Sequence, residues 1–289
     1  MAVAGHAWGW LRRNALPIYA GLAVAYMLIP IVIIAVFSFG ATPQGKLTFG
    51  LDHGFTTEYW GSAFSLPELN EALLTSLRLA AISTAISTAI GTLMAIALVR
   101  HRFRGRRLAN LLIVIPMATP EVVIGASLLS MFIYYTLALG FTTLLIAHVM
   151  FSISFVVVVV RSRLIGFDRN LEEAAADLGA TPLATFRTVT LPLLAPGILA
   201  AAMLAFALSI DDFVISNFNS GTTVTFPLYV YGVSLRGIPV QVNVLATMLF
   251  IVTALAAALV LVQQRRAERM AAVLPEPEAG IPSLAGGRA

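Results

Sequence analysis

Three carboxylates set in otherwise apolar stretches are the residues of this chain best placed to do chemistry. Glu121 lies in Pro116-Met-Ala-Thr-Pro-Glu-Val-Val-Ile-Gly125, and Asp211 and Asp212 are neighbours in Ser209-Ile-Asp-Asp-Phe-Val-Ile-Ser216. An acidic side chain in the middle of a membrane helix costs about 2.5–3.5 kcal/mol on insertion scales, so each is a candidate for a task. Glu121 follows Pro116 and Pro120, whose missing amide protons free carbonyls and kink a helix. A carboxylate beside loosened carbonyls can line a path for a cation; it can equally anchor two helices through buried hydrogen bonds. Adjacent aspartates project about 100° apart on a helix, so one can face a pathway while the other pairs with a neighbouring group. His148, a lone imidazole among Ala, Val, Met and Phe, reads as a packed hydrogen-bonding residue. Arg78 reads as snorkelling outward or pairing with Glu71, and Tyr134, Tyr135, Tyr229 and Tyr231 as an interfacial belt.

Other chemistries are excluded by what is missing. There is no cysteine among the 289 residues, which removes disulfides, thiolate catalysis, haem attachment and Cys-ligated metals together. The phosphate-binding loop of nucleotide hydrolases, HExxH and GxSxG do not occur. We therefore expect no catalytic residue, no metal site and no cofactor in this chain. A pI of about 9.8 suggests nucleic acid only if the chain is soluble, and it is not. Hydrophobic residues make up 59% and charged residues 11%, with a mean hydropathy of +0.90, whereas a soluble domain carries roughly a quarter charged residues.

The elements that must hold these carboxylates are apolar spans at 15–39, 71–99, 109–134, 141–161, 194–216 and 242–262. Each satisfies its own backbone in lipid and is therefore a helix, including the Val156–Val160 run that would read as a strand in water. The basic residues sort sharply: 15 of 18 lie before the first span, after the second, between the fourth and fifth, or after the sixth. Lys46 and Arg236 fall on the other side and Arg78 within a span. By the positive-inside rule both termini are cytoplasmic. The fold expected is all-α, a polytopic membrane protein of six transmembrane helices. A cytoplasmic segment 1–14 carries Trp8, Trp10 and Arg12, the membrane domain covers 15–263, and a cytoplasmic tail 264–289, disordered from its prolines and glycines, follows. The run from Ala15 to Phe39 is too long for a cleaved signal and reads as an uncleaved anchor. Segment 40–70 reads as an outer loop with an interfacial helix around Thr57–Phe64. No clear pair of interrupted helices appears in matching halves, which argues against a secondary transporter.

The connection 162–193 is too long and too ordered to be a mere link. Asp168 and Asn170 are N-cap candidates for a short helix containing Leu171, Glu172, Glu173 and three alanines, and Gly179 stops it. Thr181 caps a second helix opened by Pro182, with Leu183, Phe186 and Val189 as a small apolar ridge, and Pro192 closes the unit. Two short helices joined at a glycine, carrying both charge signs, are shaped to dock into something on the cytoplasmic side.

Glu173-Ala174-Ala175, three residues, Gly179, nine residues, then Val189-Thr190-Leu191-Pro192 resembles the Glu-Ala-Ala signature of ABC importer permeases, with Val where Ile is commonest. The resemblance covers nearly the whole chain: Pro120–Gly125 and Ser209–Ser216 look like the second permease subunit of spermidine/putrescine importers, the Asp-Asp-Phe-Val run being the more specific. It implies the bacterial inner membrane and a second permease subunit as heterodimer partner, a homodimer remaining open. It also implies two ATPase subunits that hold ATP and Mg, and a periplasmic or extracellular solute-binding protein. It makes Glu173, Ala174, Ala175, Gly179, Val189, Leu191 and Pro192 the ATPase-coupling loop. Glu173 would pair with a basic group of the ATPase or stay a solvated charge of its own helix, the alanines would allow close approach, and Gly179 would turn the chain without Cβ strain. Glu121, Asp211 and Asp212 become substrate-pathway candidates. Importers of aminoethylphosphonate or opine-type solutes share much of this pattern, so cargo is less determined than family. An autonomous channel or secondary transporter would need no docking loop.

Overall fold

The computed structural model describes residues 2–41, 54–166, 168 and 170–273. In chain order the helices are α1 (Ala2–Phe37), α2 (Glu58–Gly61), α3 (Pro67–Arg100), α4 (Arg106–Ala118), α5 (Glu121–Tyr134), α6 (Phe141–Ile165), α7 (Asn170–Asp177) and α8 (Pro182–Thr185). A π turn over Phe186–Thr190 follows, then α9 (Leu191–Ile210), α10 (Val214–Asn219), α11 (Phe226–Ser234) and α12 (Val240–Val273). Among the described residues the only sheet-like pairing is an isolated antiparallel bridge of Gly40 with Phe55. The Val156–Val160 run is helical, inside α6.

Among the described residues four helical stretches are long and apolar enough to cross a membrane: Asn14–Phe37, Pro67–Arg100, Phe141–Ile165 and Pro182–Ile210. Three of the expected spans, 109–134, 194–216 and 242–262, take a different form. Span 109–134 is not one kinked helix but α4 and α5, bent by 111°. Pro120 disfavours the helical region for the residue before it, and Thr119 is extended at φ −87°, ψ 134°. Within α12 the apolar part is the shorter Val240–Ala256. The molecule is thus a multi-pass helical membrane protein. Residues 42–53, with Lys46 and Asp52, and the tail beyond Val273 lie outside the described residues, as do the side chains of Trp8 and Trp10.

The chain divides into two compact units. In Met1–Ala63 with Pro239–Ala289, α12 packs against α1 and α2. The short α2 stands where the interfacial helix was expected, with Trp60 stacked on Phe39 at 5.0 Å.

The second unit, Phe64–Ile238, is built on α3, α6 and α9, which pack on one another. Without a hydrophobic drive between helices in lipid, close packing relies on small residues. Ala80, Ala95, Ala147, Ala201 and Ala205 are fully buried. A Cβ on Gly91 would lie 2.6 Å from Val156 Cγ1, so glycine is what lets α3 meet α6. One apolar cluster joins Ala95, Leu98, Ile113, Val156, Val160 and Ala201. A second joins Ile124, Leu128, Phe132, Phe151 and Ile215 across α5, α6 and α10.

The expected second loop helix does not end at Pro192. It runs on through Pro192 into α9, giving one stretch Pro182–Ile210. The π turn makes this workable: Leu191 N–H reaches back to Phe186 O, a wider turn that eases the clash a proline ring makes with the carbonyl four residues earlier. Span 194–216 ends early in turn, at Ile210, and Asp211 and Asp212 occupy a break before α10.

Candidate functional site

The loop hairpin is built as its residues dictate. Asp168 Oδ1 accepts from Asn170 N at 3.0 Å and opens α7. At the other end Gly179 takes φ +82°, Ala180 N donates to Ala175 O at 3.0 Å and Gly179 N to Ala176 O at 2.9 Å. This is the paired closure of a glycine C-cap. Thr181 Oγ1 accepts from Ala184 N at 3.3 Å, with Pro182 at the first position of α8. Glu173 and Ala174 are exposed and Ala175 half-buried; Val189 is half-buried, Leu191 and Pro192 exposed. Leu171, Leu178 and Leu183 also stand in the open, Leu178 at 88%. The hairpin therefore shows an apolar surface together with the free carboxylate of Glu173. The adjacent Glu172, which sequence reasoning passed over, turns inward: its Oε1 accepts from Arg100 Nη2 at 2.9 Å and from Thr190 Oγ1 at 2.7 Å.

The break after α9 holds the other pair of carboxylates. Asp211 closes α9, with its N–H to Ala207 O at 3.4 Å, and is exposed. Asp212 is engaged on both oxygens. Oδ1 accepts from Ile215 N at 3.2 Å and Oδ2 from Ser216 N at 2.8 Å, so the side chain caps the first turn of α10. His148 stands behind it, Nε2 3.5 Å from Asp212 Oδ2 and 3.1 Å from Ser216 Oγ. Its Nδ1 is 2.8 Å from Ser209 Oγ, which lies 3.0 Å from Ser83 Oγ. This buried chain of polar groups ties α3, α6, α9 and α10 together. Its Ser–His–Asp order suggests a nucleophile, yet Ser209 is only 4% exposed and its hydroxyl already meets both Ser83 and His148. The arrangement serves as a lock among these four helices. His148 is thus the packed hydrogen-bonding residue expected of it.

Glu121 is the first residue of α5, exposed, and no hydrogen bond or ion pair among the described residues joins it to Asp211 or Asp212. Its segment nevertheless meets the break. A Cβ on Gly125 would lie 2.8 Å from the Phe218 ring, and Asn219 Nδ2 donates to Gly125 O at 3.3 Å and Ile215 O at 2.9 Å. The two marked motifs, Pro120–Gly125 and the stretch after Asp211, are therefore packed together through α5 and α10. Arg78 is exposed and shares a cleft of about 540 Å³ with Glu68, Glu71 and Tyr229, without an ion pair to Glu71. Tyr134 and Tyr135 are exposed and edge-on to each other at 5.1 Å.

Comparison with known proteins places this geometry. The family model described as "Binding-protein-dependent transport system inner membrane component" matches residues 87–269. The spermidine/putrescine transport system permease protein PotC of Escherichia coli strain K12 is 39% identical over 231 residues, covering 79% of this chain and 86% of that protein. The homologous PotC of Haemophilus influenzae is 37% identical over 243 residues, 83% and 91% of the two chains. The putrescine transport system permease protein PotI of Escherichia coli strain K12 is 35% identical over 236 residues, 79% and 83%. Among solved structures, a bacterial alginate ABC transporter in complex with an alginate pentasaccharide-bound periplasmic protein superposes with a TM-score of 0.62 at 16% identity. It covers 91% of this chain and 97% of its own. The chain belongs to the family of binding-protein-dependent transport system inner membrane components.

Proposed function

We propose that this family member is the second membrane-spanning permease of an ATP-driven importer of polyamines, spermidine or putrescine, in a bacterial inner membrane. It crosses that membrane six times with both termini in the cytoplasm, α4 and α5 forming one bent crossing and α12 the last. A second permease subunit completes the pathway, two ATPase chains hold ATP and Mg, and an extracytoplasmic binding protein delivers cargo. The PotC and PotI relatives, matched over about four fifths of the chain, support the cargo class. The observation that carries the permease reading is the hairpin at Gly179, whose rigid glycine-capped helix presents Glu173, Ala174 and exposed leucines to a partner.

In this reading nucleotide-driven closure of the ATPases moves the hairpin, and α8 with α9, continuous through the π turn, carries the movement toward the break. Polyamines are flexible polycations, and a low-dielectric route must replace their water with carboxylates, carbonyls or aromatic faces. Asp211 and Glu121 offer exposed carboxylates at a helix end and a helix bend, where freed carbonyls add to the negative potential. Asp212, saturated by two backbone amides and His148, shapes the break rather than meeting cargo.

The test is uptake of labelled spermidine and putrescine by the complete reconstituted complex, beside an anionic phosphonate. Polyamine flux that needs ATP is the expected result. Robust anion transport with no polyamine flux retires the cargo, and flux without any ATPase chain retires the importer. Orientation is tested separately. Because the chain has no cysteine, Lys46→Cys should react with an impermeant thiol reagent from outside intact cells and Arg104→Cys should not.

A further inference from the structure

Of the tandem glutamates of α7, Glu173 is exposed and Glu172 turns inward, and the inward one has work that docking does not explain. Glu172 Oε1 receives two donors from different elements: Arg100 Nη2 at 2.9 Å, from the last residue of α3, and Thr190 Oγ1 at 2.7 Å, from the last residue of the π turn. The Arg100 and Glu172 side chains are 11% and 24% exposed, and they line one wall of a cleft of about 420 Å³ with Ile96, Phe186 and Thr190. A single oxygen thus holds the docking helix to the starts of two long levers. From Arg100, α3 runs roughly 26 Å to Ser83, and from Leu191 α9 runs about 30 Å to the break, at 1.5 Å per residue. Both reach the same lock, α3 at its middle and α9 near its end: Ser83 on α3 meets Ser209 on α9, and Ser209 meets His148, which stands against Asp212.

We propose that Glu172 is the positioning residue of coupling, a clamp that makes α3 and α9 follow the docking helix as one body. The clamp rests on the reading of the hairpin as an ATPase dock. A charged hydrogen-bonded pair at a partly shielded site is stiff enough to transmit a displacement, while its exposure leaves it free to re-form after each cycle. A surface ion pair used only for stability would contribute little. Two donors converging on one oxygen from two separate helices serve geometry instead.

The test uses the complete complex in liposomes and measures three quantities: ATPase chains captured, ATP hydrolysed, and cargo taken up per ATP. Glu172→Gln and Arg100→Gln should capture ATPase as the parent does and go on hydrolysing ATP, while uptake per ATP falls about five-fold or more, the low end of ordinary coupling factors. The charge swap Arg100→Glu with Glu172→Arg should regain a large part of that ratio. So should Arg100→Cys with Glu172→Cys once joined by a short bifunctional thiol reagent, in a chain with no other cysteine. An unchanged ratio in Glu172→Gln overturns the clamp while the dock stands. Capture and uptake falling together, with no rescue by swap or cross-link, also overturns it, because the pair would then only hold the hairpin's fold. A parent complex that captures no ATPase at all overturns the dock and the clamp with it.

Discussion

Two places in this chain carry neighbouring carboxylates, Glu172–Glu173 in the hairpin and Asp211–Asp212 in the break, and each pair splits into one engaged and one free group. The means differ. On the intact helix α7, successive side chains diverge by about 100°, so the split is helix geometry, and the engaged Glu172 takes side-chain donors from distant elements. In the break, the helix has ended, and the engaged Asp212 takes backbone amides three and four residues ahead. The first arrangement can be undone and remade, since a partly exposed ion pair exchanges readily with water. The second is held in place, because Ile215 and Ser216, whose amides Asp212 accepts, are fully buried. An aqueous joint and a buried cap therefore solve different problems: transmitting movement, and holding an irregular backbone where it would be costly.

The comparison breaks most readily at Asp212. Asp212→Ala leaves two amides without their acceptor and removes the carboxylate beside His148, a loss of about 2–4 kcal/mol by the measure of a lost cap and of buried donors left unpaired. We expect a clearly lower midpoint of thermal unfolding in detergent and no uptake; unfolding at the parent temperature would show that the lock carries no load. Next in size is Gly179→Asp. The glycine stands at φ +82° with open space around its Cα, so the change costs about 1–2 kcal/mol of local strain without a clash. Uptake should vanish and ATPase capture weaken while the membrane helices insert normally, as read by co-purification and protease protection. Normal transport by this variant would sink the turn as part of the dock. Glu173→Lys should reduce capture about ten-fold, equivalent to 1.4 kcal/mol of interface energy, with unfolding unchanged; equal loss of stability would mean that Glu173 belongs to the fold like its neighbour.

The smallest structural effect, and the sharpest contrast, is Asp211→Asn. An exposed residue whose side chain makes no hydrogen bond or ion pair to another described residue should alter stability by less than about 0.5 kcal/mol, yet raise the cargo concentration needed for half-maximal uptake. Glu121→Gln should act in the same direction and more weakly. If Asp211→Asn unfolds as early as Asp212→Ala, the division between a cargo-facing and a structural aspartate fails.

Local features were legible from the chain alone because they depend on residues within a few positions of one another. Gly179 as the turn, Thr181 as a cap, Pro182 at a helix start and a helical 156–160 run all follow from backbone sterics and hydrogen-bond need. The reading of the tandem aspartates rests on a continuous helix, which the break at Ile210 replaces; Asp212 is the hydrogen-bonded one and Asp211 is exposed. Glu172 was missed because nothing near it marks it: its partner Arg100 is 72 positions away, and either glutamate could have faced inward.

The sequence by itself determined that this chain is a helical membrane protein with two short helices joined at Gly179, since hydropathy and turn chemistry are written residue by residue. Only the tertiary structure decided which carboxylate of each pair is engaged, that His148 reaches Asp212, and that α5 lies against α10. Those choices depend on the rotation of each helix about its axis, and that rotation is set by packing among small residues such as Gly91 and Gly125, contacts that no local pattern records.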